Sequence, residues 1–329
     1  MGECPVAQEL YIIKSDCYDP YYNLAFEEHL LQRTPQEGCI LYLWQNEHTI
    51  VIGRNQNPWA ECRISLLQEE GGLLARRLSG GGAVYHDLGN LNFTFLCSEE
   101  NYDLQKQLSV IQKAVSYAGI EAQFSGRNDL LADGRKFSGN AFYHSKGTAY
   151  HHGTLLIDAD TSRMGRYLSP PKAKLETKGV TSVRSRVVNL KELSPALTCH
   201  GMADYMVRAF SEIYGGIPVV LPMTAQNEQA VLQLRTRYTS EEWLFEKPLP
   251  FTCTLEEHFP FGHVQMQLQV ENGVIRTLQV YTDAMDASLA EKLTDALTGC
   301  SFQTDAMIKA VEHLEVGTEL SDFLKKQEL

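Results

Sequence analysis

Residues 127–143, RNDLLADGRKFSGNAFY, hold the reading on which the fold of the first two hundred residues turns. Asp133-Gly134 lies between two runs rich in alternating apolar and polar side chains, the signature of two strands joined by a two-residue turn. Pairing outward from that turn sets Ala132 against Arg135, Leu131 against Lys136 and Asp129 against Ser138. Residues opposed across a strand pair, or two apart along a strand, share one face of the sheet. The register predicts that Arg127, Asp129, Lys136, Ser138 and Asn140 project together, with Asp129 and Lys136 as diagonal neighbours about 7–8 Å apart. A carboxylate able to hold Mg2+ beside an ammonium able to offset phosphate charge is the minimum that nucleotide chemistry needs. The plainer reading is an exposed hairpin with a polar outer face.

Outward from this hairpin, helix and strand signals alternate. Asp19 and Pro20 form an N-cap and first-turn pair, predicting a helix through Leu24, Phe26 and Leu31. Residues 39–44 and 49–53 read as strands joined by a polar turn. Asn57-Pro58 repeats the capping signal for a helix that stops at Gly71-Gly72. Leu104, Leu108, Ile111, Val115 and Ala118 recur at helical spacing behind Asp103, ending at Gly119. This alternation predicts an α/β (α+β) core at 1–245, with helices over 200–245. Beyond a Pro-rich, aromatic passage, Asn272-Gly273 punctuates two strands at 263–270 and 274–282. Amphipathic helices at 288–297 and 305–314 complete a predicted small α+β domain at 246–329.

The chain has 329 residues, a length for about two domains. Hydrophobic residues at 43% against 21% charged suffice for a packed core. The net charge of −12 opposes general binding to nucleic acid, although a local basic cluster can still hold a small anion. No apolar run reaches the length of a membrane span, and MGECPVAQEL lacks the features of a secretion signal, so a cytoplasmic protein with no membrane partner is expected. The eight cysteines show no CxxC or zinc-like spacing and read as reduced, mostly buried residues.

Three other stretches carry candidate chemistry. In ARRLSGGGAVYHDLGN, residues 75–90, three glycines after Ser79 leave backbone N–H groups open to an anion, with Arg76 and Arg77 immediately before them. The spacing fits neither a P-loop nor a dinucleotide fingerprint. His151 and His152 start an apolar strand and point to opposite faces, which makes His152 a pocket residue and Gly153 a point of close backbone approach. Residues 170–186, PPKAKLETKGVTSVRSR, form a basic loop, either solvated or closing over a negatively charged ligand.

Taken together, RRLSGGGAVYHDLGN, GRNDL, GRKFSG, HHGTLL and KGVTSVRSRVVNL resemble the lipoate-protein ligase family, and the C-terminal unit is similar to the accessory domain of its long members. The resemblance implies a core related to biotin ligases and class II synthetases. It also implies that ATP and Mg2+ activate lipoate, or octanoate, to an acyl adenylate. The acyl group then passes to a lysine of a lipoyl domain, on 2-oxoacid dehydrogenase E2 subunits or the glycine cleavage H protein.

By motif, Lys136 is the central lysine, meeting both the acyl carbonyl and the phosphate. Arg77, Gly82, Ala83, Val84, Tyr85, Asn128 and Asp129 fall at ATP-contacting positions, with Asp129 on the magnesium side. Lys178 and Arg184 belong to the adenylate-binding segment. Trp44, Ser79, Gly80, Gly81, His86, His152 and Gly153 fall at the lipoate. A monomer is the default expectation. The enzymatic alternative is a lipoyl or octanoyl transferase that takes its acyl group from a carrier protein, as the related octanoyltransferases do, or from a preformed adenylate. One group of them needs a cysteine, and none lies between Cys97 and Cys199. A module that only docks lipoyl domains is the non-enzymatic alternative.

Overall fold

The computed structural model describes residues 9–125, 128–168, 187–245 and 252–327. Eight strands form the main sheet: β1 (Glu9–Lys14), β2 (Gly38–Trp44), β6 (Asn90–Ser98), β7 (Gln123–Ser125), β8 (Asp129–Ala132), β9 (Arg135–Ser145), β10 (Thr148–Leu156) and β11 (Val219–Val220). Their order is β11-β1-β2-β6-β10-β9-β8-β7. The β11–β1–β2 pairings are parallel and the others antiparallel. A separate sheet, β4-β3-β5, joins β3 (Thr49–Ile52), β4 (Leu73–Arg76) and β5 (Val84–His86).

The helices of this part are α1 (Pro20–Leu31), α2 (Pro58–Glu61), α3 (Ile64–Glu69), α4 (Leu104–Ser116), α5 (Thr161–Tyr167), α6 (Leu190–Leu193), α7 (Cys199–Tyr214), α8 (Ala225–Tyr238) and α9 (Glu241–Phe245). Caps fix the two that matter most for packing. The Asp19 carboxylate accepts from Tyr21 N, and Asp103 accepts from Lys106 N. Leu108, Ile111 and Val115 of α4 and Met202, Met206 and Phe210 of α7 pack against Leu41, Leu43, Phe93 and Phe95 of the sheet, forming the main core. The other face of β6 and β10 meets α1 through the buried Glu27.

Two compact units emerge. One contains the chain up to Val51, with Trp59–Arg76 and Ala83–Leu244; the other contains Ile52–Pro58, Arg77–Gly82 and the chain from Phe245. Two short early segments thus join the second unit, a division that boundaries drawn at 245 and 246 do not contain. The reason is local: Arg54 N donates to Ser79 O, Thr282 N to Asn55 O and Gly81 N to Ala284 O. The second unit also holds β12 (Cys253–Phe259), β13 (Gly262–Glu271) and β14 (Val274–Thr282), with α10 (Leu289–Leu297), α11 (Thr304–Val311) and α12 (Gly317–Leu324). Leu268, Leu293, Met307 and Phe323 are in its own core.

The structure departs from the sequence reading in several elements. The helix predicted from Pro58 to Gly71 is broken at Arg63, where Arg63 N donates to Tyr167 O and Cys62 bridges to Leu168. The strands at 39–44 and 49–53 enter different sheets. β12 and α12 went unread, the first because its outward residues give a mixed pattern. Among the described residues no helix is long and apolar enough to cross a membrane.

Candidate active site

The turn at Asp133 and Gly134 has positive φ at both positions, 50° and 68°, as a type I′ hairpin demands. Ala132 faces Arg135 and Leu131 faces Lys136, as the sequence predicts. The register then slips by one residue, so Leu130 faces Ser138 and Asp129 faces Gly139. This β-bulge at Phe137 corrects two expectations. Ser138 turns inward with Leu130 and is fully buried, away from the Lys136 face. Lys136 and Asp129, expected to stand apart, close an ion pair with Nζ 2.7 Å from Oδ1. A bulge re-aims side chains in this way wherever an extra residue is inserted into one strand.

The face that carries Lys136 continues across the sheet. Asp129 of β8 faces Gly139 of β9, whose N–H donates to Thr154 Oγ1, and Thr154, Asn92 and Trp44 are aligned across β10, β6 and β2. Lys136 Nζ reaches 3.0 Å from where a side chain on Gly139 would begin. The Lys136 and Asp129 side chains are 36% and 35% exposed. At the other end Trp44 is 3% exposed. The row therefore runs from a polar, solvent-touching end to a buried aromatic one.

The adjacent row explains how that buried end is held. Trp44 Nε1 donates to Thr94 Oγ1 at 3.1 Å, and Thr94 Oγ1 donates to Glu27 Oε1 at 2.7 Å. His152 Nδ1 lies 2.8 Å from the same Glu27 oxygen. Tyr42 stacks on Trp44, and its hydroxyl donates to Asn23 Oδ1. Asn23 passes the chain to Asn46, whose Nδ2 lies 3.2 Å from His86 Nδ1, while the His86 ring meets Trp44 edge-on. Trp44, His86 and His152, all predicted, are brought together on one wall. Glu27, Thr94 and Asn92 were missed. Their signals were present: Glu27 interrupts the apolar stripe between Leu24 and Leu31, and residues 90–95 alternate Asn, Leu, Asn, Phe, Thr, Phe.

Other predicted residues take different roles. His151 turns to the core, where Nε2 lies 2.8 Å from Asn140 Oδ1 and Nδ1 lies 3.1 Å from Gln107 Oε1. Burial, with His152 adding to it, pulls the His151 pKa down to about 3. Gly153 is also a core residue: an added Cβ would strike Phe93 Cζ and Gly139 O at 2.7 Å, so packing demands glycine there, where close approach of a ligand had been expected. Asn128 and Asn140 brace each other, each donating through Nδ2 to the other's carbonyl oxygen. Asn140 therefore does not join Lys136. Val84 and Tyr85 lie on β5, an edge strand of its sheet. The Tyr85 ring packs beside His48 and Tyr167.

The glycine loop belongs to the second unit. Arg77 donates through Nε to Ser79 Oγ and through its terminal nitrogen to Gly80 O and Gly82 O. Its guanidinium braces the loop. Gly80 admits no side chain because Ala284 O would lie 2.2 Å away, and Gly81 has φ +87°. Since Gly81 N donates to Ala284 O, the expected open cradle of N–H groups is partly occupied by the chain itself. Gly82 has open space around it, and Ala83 follows half-buried. Arg76 is fully buried and donates to Leu244 O, so it serves the fold. Arg127, Lys178, Arg184 and the whole basic loop at 170–186 lie outside the described residues.

Comparison with known proteins matches residues 19–211 to the lipoyl protein ligase A/B catalytic domain and residues 249–329 to the bacterial lipoate protein ligase C-terminus. The chain belongs to the lipoate-protein ligase family. This ligase-family chain is 40% identical over 327 residues to lipoate-protein ligase A of Bdellovibrio bacteriovorus, with 96% of each chain covered. Among solved structures, P. falciparum LipL1 in complex with lipoate superimposes with a TM-score of 0.84 at 27% identity, covering 96% of this chain and 99% of that one. A lipoate-protein ligase A bound with ATP shares the fold, with a TM-score of 0.64 at 23% identity over 73% of this chain and 99% of that one. The chain is thus an enzyme of the lipoate-protein ligase family with the family's α/β fold.

Proposed function

We propose that the protein activates lipoate with ATP and transfers the lipoyl group to the lysine of a lipoyl domain. The observation that carries this reading is the row from Lys136 to Trp44, an ammonium at an open end and a buried aromatic wall at the other. In the first step a lipoate carboxylate oxygen attacks the α-phosphorus of ATP and diphosphate leaves. In the second, the acceptor's ε-amine attacks the acyl carbonyl and AMP leaves. Both steps develop negative charge on oxygen beside Lys136, whose Nζ stabilises it without forming a covalent bond. Trp44, His86 and His152 line the acyl end, with His152 fixed by Glu27. The edge of β5 at Val84 and Tyr85 offers backbone groups to the base, while Arg77 shapes the loop through Ser79–Gly82.

Mg2+ usually retains several waters and binds through one or two carboxylates together with substrate phosphates. Asp129 fits that demand, and among the described residues no cluster of three or more metal-binding side chains forms a dedicated cage. Bound there, the ion would offset charge on the leaving diphosphate. Acceptors on this reading are the lipoyl domains of E2 subunits and the glycine cleavage H protein, met in the cytoplasm. Diphosphate release from MgATP, measured with lipoate, octanoate or no acid, tests the reading when the mass of an acceptor lipoyl domain is followed in parallel. Release that requires the acid, with a lipoyl mass gain, is expected. Acyl transfer from a carrier protein with no ATP requirement would replace the ligase by a transferase.

A further inference from the structure

We propose that Asn92 reads the sulfur-bearing end of the acyl chain and makes the site select lipoate over plain fatty acids of the same length; this rests on the ligase reading. Asn92 is 1% exposed and lies directly between Trp44 and Thr154 on the face that carries Lys136. Its Oδ1 accepts from Asn90 Nδ2 at 2.9 Å, which turns its Nδ2 away from Asn90. That Nδ2 is buried and has no partner among the described residues. The neighbouring polar atoms are engaged: Trp44 Nε1 with Thr94, Thr94 with Glu27, and Thr154 Oγ1 with Gly139 N. Buried amide donors are seldom left unsatisfied without a functional cause.

Asn92 stands two strands from Gly139, about 9–10 Å at the usual strand spacing. With the carboxyl group at Lys136, a chain crossing the strands toward Trp44 brings the far end of an eight-carbon acid to that amide. Lipoate carries two ring sulfurs there and octanoate carries only C–H. A ring disulfide sulfur, like that of a thioether, is a weak hydrogen-bond acceptor, whereas a methylene leaves the donor unpaired. Sites with a buried polar group reject analogues that leave it unsatisfied.

The test compares kcat/KM for diphosphate release with lipoate, octanoate and 5-cyclopentylpentanoate, the last having the shape of lipoate with both sulfurs replaced by carbon. Wild type should favour lipoate over the cyclopentyl acid by about tenfold, the ratio that one unpaired buried donor corresponds to. Asn92→Leu should bring that ratio close to one by gaining on the carbon acids while losing on lipoate. Equal use of lipoate and the cyclopentyl acid by wild type would overturn the proposal even if the variant failed to fold. So would a variant that slows all acids alike, the mark of a structural role. Release with none of the acids would instead remove the ligase reading on which the proposal stands.

Discussion

At the residue scale, two adjacent histidines serve opposite faces of one strand. Successive strand residues face opposite sides, so His152 meets Glu27 of α1 on one face of the sheet while His151 enters the core between Gln107 and Asn140 on the other. The depressed His151 pKa has a consequence for stability. Between its folded value of about 3 and the ordinary value of 6.5, the unfolded chain binds a proton that the folded chain refuses. Stability from this residue is therefore complete above pH 6.5 and falls as the pH is lowered toward 3. At pH 5 the loss should be about 2 kcal/mol relative to pH 7. Urea unfolding at the two pH values checks it: His151→Gln should flatten the difference, and an equally steep loss in the variant would assign it to other groups.

At the element scale, the β8–β9 hairpin shows what pattern reading can reach. The Asp133-Gly134 turn, the strands beside it and the pairing of Leu131 with Lys136 were all legible, because a two-residue turn fixes the first pairs of a register. The bulge at Phe137 was not legible, since local alternation carries no mark of an extra residue that tertiary packing accommodates. Its effect is to bury Ser138 and bring Asp129 against Lys136. Trp44, His86 and His152 were found through motifs, whereas Asn92 needed the strand order and Glu27 the packing of α1 against the sheet. Gly80 and Gly81 are also required by packing that the sequence did not show, since Ala284 O lies 2.2 Å from where a Gly80 side chain would begin and accepts from Gly81 N. The turn itself gives a direct prediction. Gly134 has φ +68°, so Gly134→Ala should lower the unfolding free energy by about 1–2 kcal/mol. A denaturant midpoint equal to that of wild type would mean the turn relaxes to another type.

At the scale of the whole molecule, a chain of net charge −12 carries Lys136, the residue proposed to offset charge in an anionic reaction. Global charge repels nucleotides at long range, while a nearby ammonium acts at contact distance, where it is least screened. Each unit has its own apolar core, and residues of the glycine loop are held within the second unit. In the proposed chemistry, Lys136 is the group common to both steps. The most direct measurement supplies preformed lipoyl adenylate to wild type and to Lys136→Ala, and follows the mass of an acceptor lipoyl domain alongside diphosphate release from MgATP and lipoate. Because the Lys136 side chain is half-buried and its ion pair stands near the surface, the variant should keep a cooperative melt close to that of wild type. The account predicts a loss of about a hundredfold or more in both adenylate formation and transfer. A folded variant that performs either step at the wild-type rate would contradict it.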